Sequence, residues 1–211
     1  MSIPAIFAVA FAVGMSGAIS PGPLLTTTVG ESYRRGFIAG PLLVAGHAAL
    51  EALLLMALLL GLGRLFSHGI FFAGTALAGG AFLVWMGCGM ALEAKRDPFR
   101  HPGNPTPLLR WGPFAAGFLV SLSNPYWILW WATFGLGYLT RSMERGVPGV
   151  VSFYLGHISA DAAWYLAVAL LAATGRRFLP GRFYRAVMAG CALFLVVLGG
   201  RFAADGLSHF L

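Results

Sequence analysis

Two histidine–carboxylate pairs lie in segments that are otherwise apolar. His47 and Glu51 are four residues apart, as are His157 and Asp161, and a glycine precedes each histidine in Gly46-His47-Ala48-Ala49-Leu50-Glu51 and Gly156-His157-Ile158-Ser159-Ala160-Asp161. Four residues is about one helical turn, so each pair shares a helix face. An ionisable side chain inside an apolar span is costly and marks a substrate or ion pathway by default. Two roles fit. In the first, Glu51 and Asp161 bind a substrate ammonium or a coupling proton, exchanging one for the other, with His47 and His157 as relays or hydrogen-bond partners. In the second, each pair satisfies itself and glues helices together. The same four side chains, His47, Glu51, His157 and Asp161, are also a nitrogen and oxygen donor set for a divalent cation. No nucleophile–base set or nucleotide motif points to an enzyme, and no cofactor is called for.

Proline motifs supply the other chemistry. Ser20-Pro21-Gly22-Pro23-Leu24-Leu25-Thr26-Thr27-Thr28 interrupts an apolar run. Pro21 suits the first position of a new helix and Ser20 its N-cap. A break at membrane depth is tolerated where the freed backbone is buried in protein or lines a cavity, and the new N-terminus then offers unpaired N–H groups to an anion. A plain kink in a packing helix is the alternative. The device occurs twice: Phe114-Ala115-Ala116-Gly117 through Asn124-Pro125 follows the pattern of Phe11-Ala12-Val13-Gly14 through Ser20-Pro21, with Asn124 as N-cap and Pro125 as the first helical residue. Ser20, Pro21, Gly22, Pro23, Thr26, Asn124, Pro125, Tyr126 and Glu51 are therefore the candidate substrate-binding residues. Asp161, Glu51, His47 and His157 are the candidates for proton coupling. Tyr126 or Trp127 could close over a ligand, or serve packing and an interfacial belt. The hydroxyls of Thr26, Thr27 and Thr28 face either a ligand or their own helix.

The elements that must carry these residues are membrane spans. With 58% hydrophobic and 10% charged residues in 211, the chain cannot cover a soluble surface. A helix needs about 20 apolar residues to cross the hydrocarbon core, and six runs reach that length: 3–29, 37–62, 69–92, 111–138, 147–173 and 183–204. The first run lacks a basic flank and is too long for a signal peptide, so it stays as a span. Cys88 and Cys191 fall inside spans and read as packed thiols. The net charge of +7 follows the loops rather than a nucleic-acid face. One side receives ten Lys and Arg, at 34, 35, 95, 96, 100, 110, 176, 177, 182 and 185, and the other four, at 64, 141, 145 and 201. The positive-inside rule puts the first side in the cytoplasm and both termini outside.

Landmarks recur in order: a broken span, a Gly-His-carboxylate span and a Gly-rich span in 1–93, then the same in 111–211, joined by a basic, proline-rich cytoplasmic linker over 94–110. Three spans per half is an odd number, so the halves insert in opposite senses. The expected fold is an all-α integral membrane protein of one domain, with six transmembrane helices in a 3+3 inverted repeat and the first and fourth helices broken at the Pro motifs. That architecture belongs to secondary transporters, with the site at the repeat interface.

Ser20-Pro21-Gly22-Pro23 with the Gly36 region, the Asn124-Pro125 break and the fifth-span carboxylate Asp161 resemble the LysE/RhtB amino-acid exporters over nearly the whole chain. The resemblance implies proton-driven efflux of amino acids or similar small metabolites across the cell inner membrane. The partners it implies are an amino acid as small-molecule substrate, the lipid bilayer and protons, with no nucleic acid; homo-oligomerisation stays open. The chain departs from the family in carrying Tyr126 where a lysine is common, and in pairing His47 with Glu51. Two deep acids without a deep lysine or arginine favour a substrate bearing an ammonium group. A divalent metal cation exporter built on His47, Glu51, His157 and Asp161 is the alternative.

Overall fold

The computed structural model of the protein describes residues 1–20, 22–61, 69–94, 111–175 and 181–208. Helix α1, Ile3–Ala18, starts at Ser2, whose Oγ accepts from Ala5 N at 3.4 Å. Helix α2 is Pro23–Arg35, α3 Ala39–Leu59 and α4 Gly69–Ala94. After the linker come α5, Gly112–Leu122, and α6, Pro125–Trp130, which runs through a π-helical turn at Trp131–Gly135 into α7, Leu136–Met143. Helices α8, Gly146–Gly175, and α9, Gly181–Ser208, complete the chain.

Three helical segments are long and apolar enough to cross a bilayer: Ala39–Leu59, Gly146–Gly175 and Ala189–Ser208 within α9. The α1–α2 pair, bent by 76°, makes a fourth if it is one span. The other expected spans fall on Ala76–Gly89 within α4 and on α5, which are shorter apolar helices. The stretch carrying Arg64 and His68, and the linker from Lys95 to Arg110, lie outside the described residues.

Both breaks occur in the expected places, but their chemistry differs. At the second, Asn124 is the N-cap and its Oδ1 accepts from Tyr126 N at 3.1 Å, with Pro125 first in the helix. At the first, the expectation of Ser20 as N-cap and Pro21 as first helical residue is wrong: α2 begins at Pro23 with Gly22 as N-cap. The residue before a proline is driven out of the helical region, and Gly22 is accordingly extended at φ −161°, ψ −179°. Ser20 turns its hydroxyl back to Ser16 O at 3.1 Å instead of capping. Pro21 itself lies outside the described residues. Arg34 and Arg35 lie in the last turn of α2, and Gly36 ends the helix in a left-handed conformation at φ +84°.

The helices pack mainly in three pairs, α1 with α8, α3 with α5 and α4 with α9, each joining an element before the linker to one after it. The α3–α5 pair meets backbone to backbone, because a Cβ on Gly46 would fall on the Phe114 carbonyl and one on Gly117 on that of Leu43. Two apolar cores flank the middle of α3 and α8. One contains Leu55, Leu58, Trp130, Trp131 and Phe153, and the other Leu43, Val44, Ala116 and Tyr165. Along both long helices the His–carboxylate pairs fall between these cores.

Candidate functional site

The two pairs, read from the sequence as separate polar spots, form one cluster. His47 Nε2 lies 3.3 Å from Glu51 Oε1 on its own helix and 3.6 Å from Asp161 Oδ2 on α8. His157 Nε2 lies 3.0 Å from Glu51 Oε2 on α3 and 3.5 Å from Asp161 Oδ2. Each imidazole thus bridges both acids. All four side chains are buried, Glu51 completely. Two carboxylates taken out of water need positive charge or several donors beside them, which neither pair supplies alone.

Further donors come from the second break. The indole N–H groups of Trp127 and Trp131 both donate to Glu51 Oε1, at 2.9 and 3.0 Å. They are four residues apart, one in α6 and one opening the π turn, and Gly135 leaves room for the Trp131 ring. Ser121 Oγ, near the end of α5, pairs with His47 Nδ1 at 2.8 Å. The His157 ring stacks on Trp130 with centroids 4.5 Å apart and lies parallel to Phe153 at 6.4 Å. Its Nδ1 has no hydrogen-bond partner and faces Gly14 of α1. Tyr154 of α8 donates its hydroxyl to Ala48 O on α3 at 2.9 Å, tying the two site helices together.

A cavity of about 50 Å³ opens beside the cluster, room for a few waters. Its walls include Gly17 and Ala18 before the first break, Leu24 after it, and Ser121, Asn124, Tyr126 and Trp127 around the second. The breaks adjoin: Ser20 Oγ and Tyr126 OH are 3.2 Å apart, and a Cβ on Gly22 would sit 3.7 Å from Asn124 Nδ2.

Of the candidate residues, His47, Glu51, His157, Asp161, Asn124 and Tyr126 line this cavity, while Ser20 and Gly22 stand behind Tyr126 and Asn124. Pro23 and Pro125 start the helices on either side. Thr26 is elsewhere; it is buried and its hydroxyl donates to Pro23 O at 2.8 Å, as Thr28 donates to Leu24 O. Sequence reasoning missed Ser121, Trp130, Trp131 and Tyr165. The spacing of Trp127 and Trp131, the same four residues as in the His–acid pairs, was the available signal.

The chain resembles two curated relatives over nearly their full lengths. It is 27% identical to the chemotactic transduction protein ChpE of Pseudomonas aeruginosa, covering 93% of this chain and 96% of the relative. It is 24% identical to a Bacillus subtilis protein named "Putative amino acid efflux protein YcgF", covering 98% and 99%. No solved structure matches the chain at a significant level. The family model described as LysE type translocator matches residues 15–206, so the chain belongs to the LysE family of multi-pass membrane transporters, which are not enzymes.

Proposed function

We propose that the protein exports an amino acid or a related small metabolite bearing an ammonium group, and that Glu51 and Asp161 carry its positive charge across the membrane. The observation that carries this reading is the convergence of two buried carboxylates and two imidazoles on one cavity between two adjoining helix breaks. The acids suit the ammonium, whereas the anion site expected at the start of α6 is closed: Pro125 has no N–H, Tyr126 N donates to Asn124 Oδ1, and Trp127 N and Ile128 N donate to Asn124 O. The efflux role in the name of the Bacillus subtilis relative supports the same direction. Coupling follows from charge: Asp161 takes up a proton when the ammonium leaves, so inward proton movement drives outward substrate movement. The fold that serves this is six spans in a 3+3 inverted repeat in the cell inner membrane, with both termini outside. The pairing of α1 with α8 and of α3 with α5, which the repeat would interchange, supports that arrangement.

The test is a comparison of intracellular and extracellular metabolites in cells with and without the protein. Enrichment of an amino acid outside producing cells is expected. A change confined to divalent metals would overturn the reading in favour of a metal exporter, for which the proximity of His47, Glu51 and Asp161 within 4.8 Å of one another is the supporting observation.

A further inference from the structure

One contact inside the cluster is a hydrogen bond, between His157 Nε2 and Glu51 Oε1 at 3.2 Å, but others are short without being one. Glu51 Oε2 and Asp161 Oδ2 are both buried without a hydrogen-bond partner, although an imidazole Nε2 lies 3.0 Å from the first and two lie 3.5 and 3.6 Å from the second. His47 Nε2 and Asp161 Oδ2 therefore approach each other beside the Glu51 carboxylate without a hydrogen bond between them. Atoms gathered this way share a common centre. In a tetrahedral zinc site with bonds of about 2.0–2.1 Å, ligand atoms lie about 3.3 Å apart. Here His47 Nε2 lies 3.3 Å from Glu51 Oε1 and 3.6 Å from Asp161 Oδ2, and His47, Glu51 and Asp161 offer ligand atoms within 4.8 Å of one another.

The surroundings also match what a cation needs. A ligating histidine usually has its second ring nitrogen held by a polar group, which fixes the orientation of the first. Ser121 holds His47 Nδ1 in this way, leaving Nε2 towards the acids. Glu51 is likewise anchored by one oxygen, because Trp127 and Trp131 both donate to Oε1 and leave Oε2 free. Two carboxylates carry two negative charges, and one divalent ion balances both, as a buried site requires. The neighbouring cavity offers a route in and space for a water ligand.

We propose that His47 Nε2 and the carboxylates of Glu51 and Asp161 form a binding site for one divalent transition cation of the zinc type, with His157 bonded to Glu51 beside it, which excludes the ammonium substrate while it is bound. An imidazole nitrogen among the donors suits zinc and cobalt over calcium or magnesium, which favour all-oxygen sets. The exclusion of substrate rests on the export reading above, whereas the binding site itself does not.

The probe is cobalt(II) added to the purified full chain in detergent after removal of metals by chelation. One equivalent should bind with a visible absorption band, and zinc should displace it. His47→Gln with His157→Gln should weaken binding by tenfold or more and remove the band, while any binding at the remaining histidines, His68, His101 and His209, would survive. Failure of the native protein to show the band, or equal affinity in the double variant, would overturn the site. Should the double variant not fold, Ser121→Ala decides: binding about 10–100-fold weaker and restored by Ser121→Thr is expected, and unchanged binding overturns the site. In vesicles, micromolar zinc should also slow export of the amino acid found in the metabolite comparison. Cobalt binding without amino-acid export would end the export reading and keep the metal site; export without cobalt binding would do the reverse.

Discussion

The first half of the chain presents Glu51 and the second half Asp161 from matching places, yet the two acids are held in different ways. Glu51 accepts two indole N–H groups, whereas Asp161 Oδ2 has only the two imidazoles near it and no hydrogen-bond partner. The difference originates in the half-helices after the breaks. Trp127 and Trp131 stand two and six residues after Pro125; the same offsets from Pro23 give Leu25 and Val29, which have no donors. The two acids are thus held unequally, and the transport reading proposed above takes Glu51 as the fixed acid and Asp161 as the exchangeable one. A carboxylate with two charge-assisted donors resists movement. Asp161 has fewer ties to break, so it is the better candidate to change partners during transport.

The largest expected effect tests the shared frame rather than the difference. Gly46→Val should abolish folded protein, because even a Cβ there meets the Phe114 carbonyl and a bulkier group cannot be accommodated without separating α3 from α5. Overpacking of this kind costs about 1–3 kcal/mol or more. Gly156→Val, whose Cβ would approach Phe7 O on α1 to 2.5 Å, should do the same in the other half. Monodisperse elution of both variants in detergent would contradict the packing described.

The next effect separates the halves. Trp131→Phe keeps an aromatic ring but removes a donor to a buried carboxylate, and should destabilise the protein by about 1.5–3 kcal/mol. Val29→Ala, at the matching place, removes no donor and should lower the melting temperature by less. Equal shifts in the two variants would mean that the indole N–H groups do not distinguish the acids. A smaller effect belongs to Ser121→Ala, which takes one neutral partner from His47 and should cost about 0.5–1.5 kcal/mol, read in the same melting experiment.

Much of this was legible in the sequence, for reasons that lie in local pattern. Apolar run lengths give membrane helices, Asn124-Pro125 gives a capped restart, and the i, i+4 spacing gives two His–acid faces. What local pattern does not carry is which faces meet. Glu51 and His157 are 106 residues apart, and only the packing of α3 and α8 brings the two pairs into one cluster. The same holds for Trp131, whose indole reads as apolar packing until its N–H is seen to reach Glu51, 80 residues away. At the first break two prolines competed for the start of the helix. Ser20 looked the better cap by residue type, but the extended conformation imposed before Pro23 placed the start two residues later.

The most direct test of the central claim, that this cluster is the transport site and Asp161 its exchangeable acid, is transport in liposomes with an imposed pH gradient. The substrate is the amino acid identified by the metabolite comparison, and native protein is measured beside Asp161→Asn and Glu51→Gln. Glutamine at 51 still offers an oxygen to both indoles, so Glu51→Gln should keep uphill transport while changing which amino acids are preferred. Asp161→Asn should fail to concentrate substrate, yet retain exchange down a gradient. Concentration of substrate by Asp161→Asn to the native level would contradict the account, and would leave the cluster as a structural tie between α3 and α8.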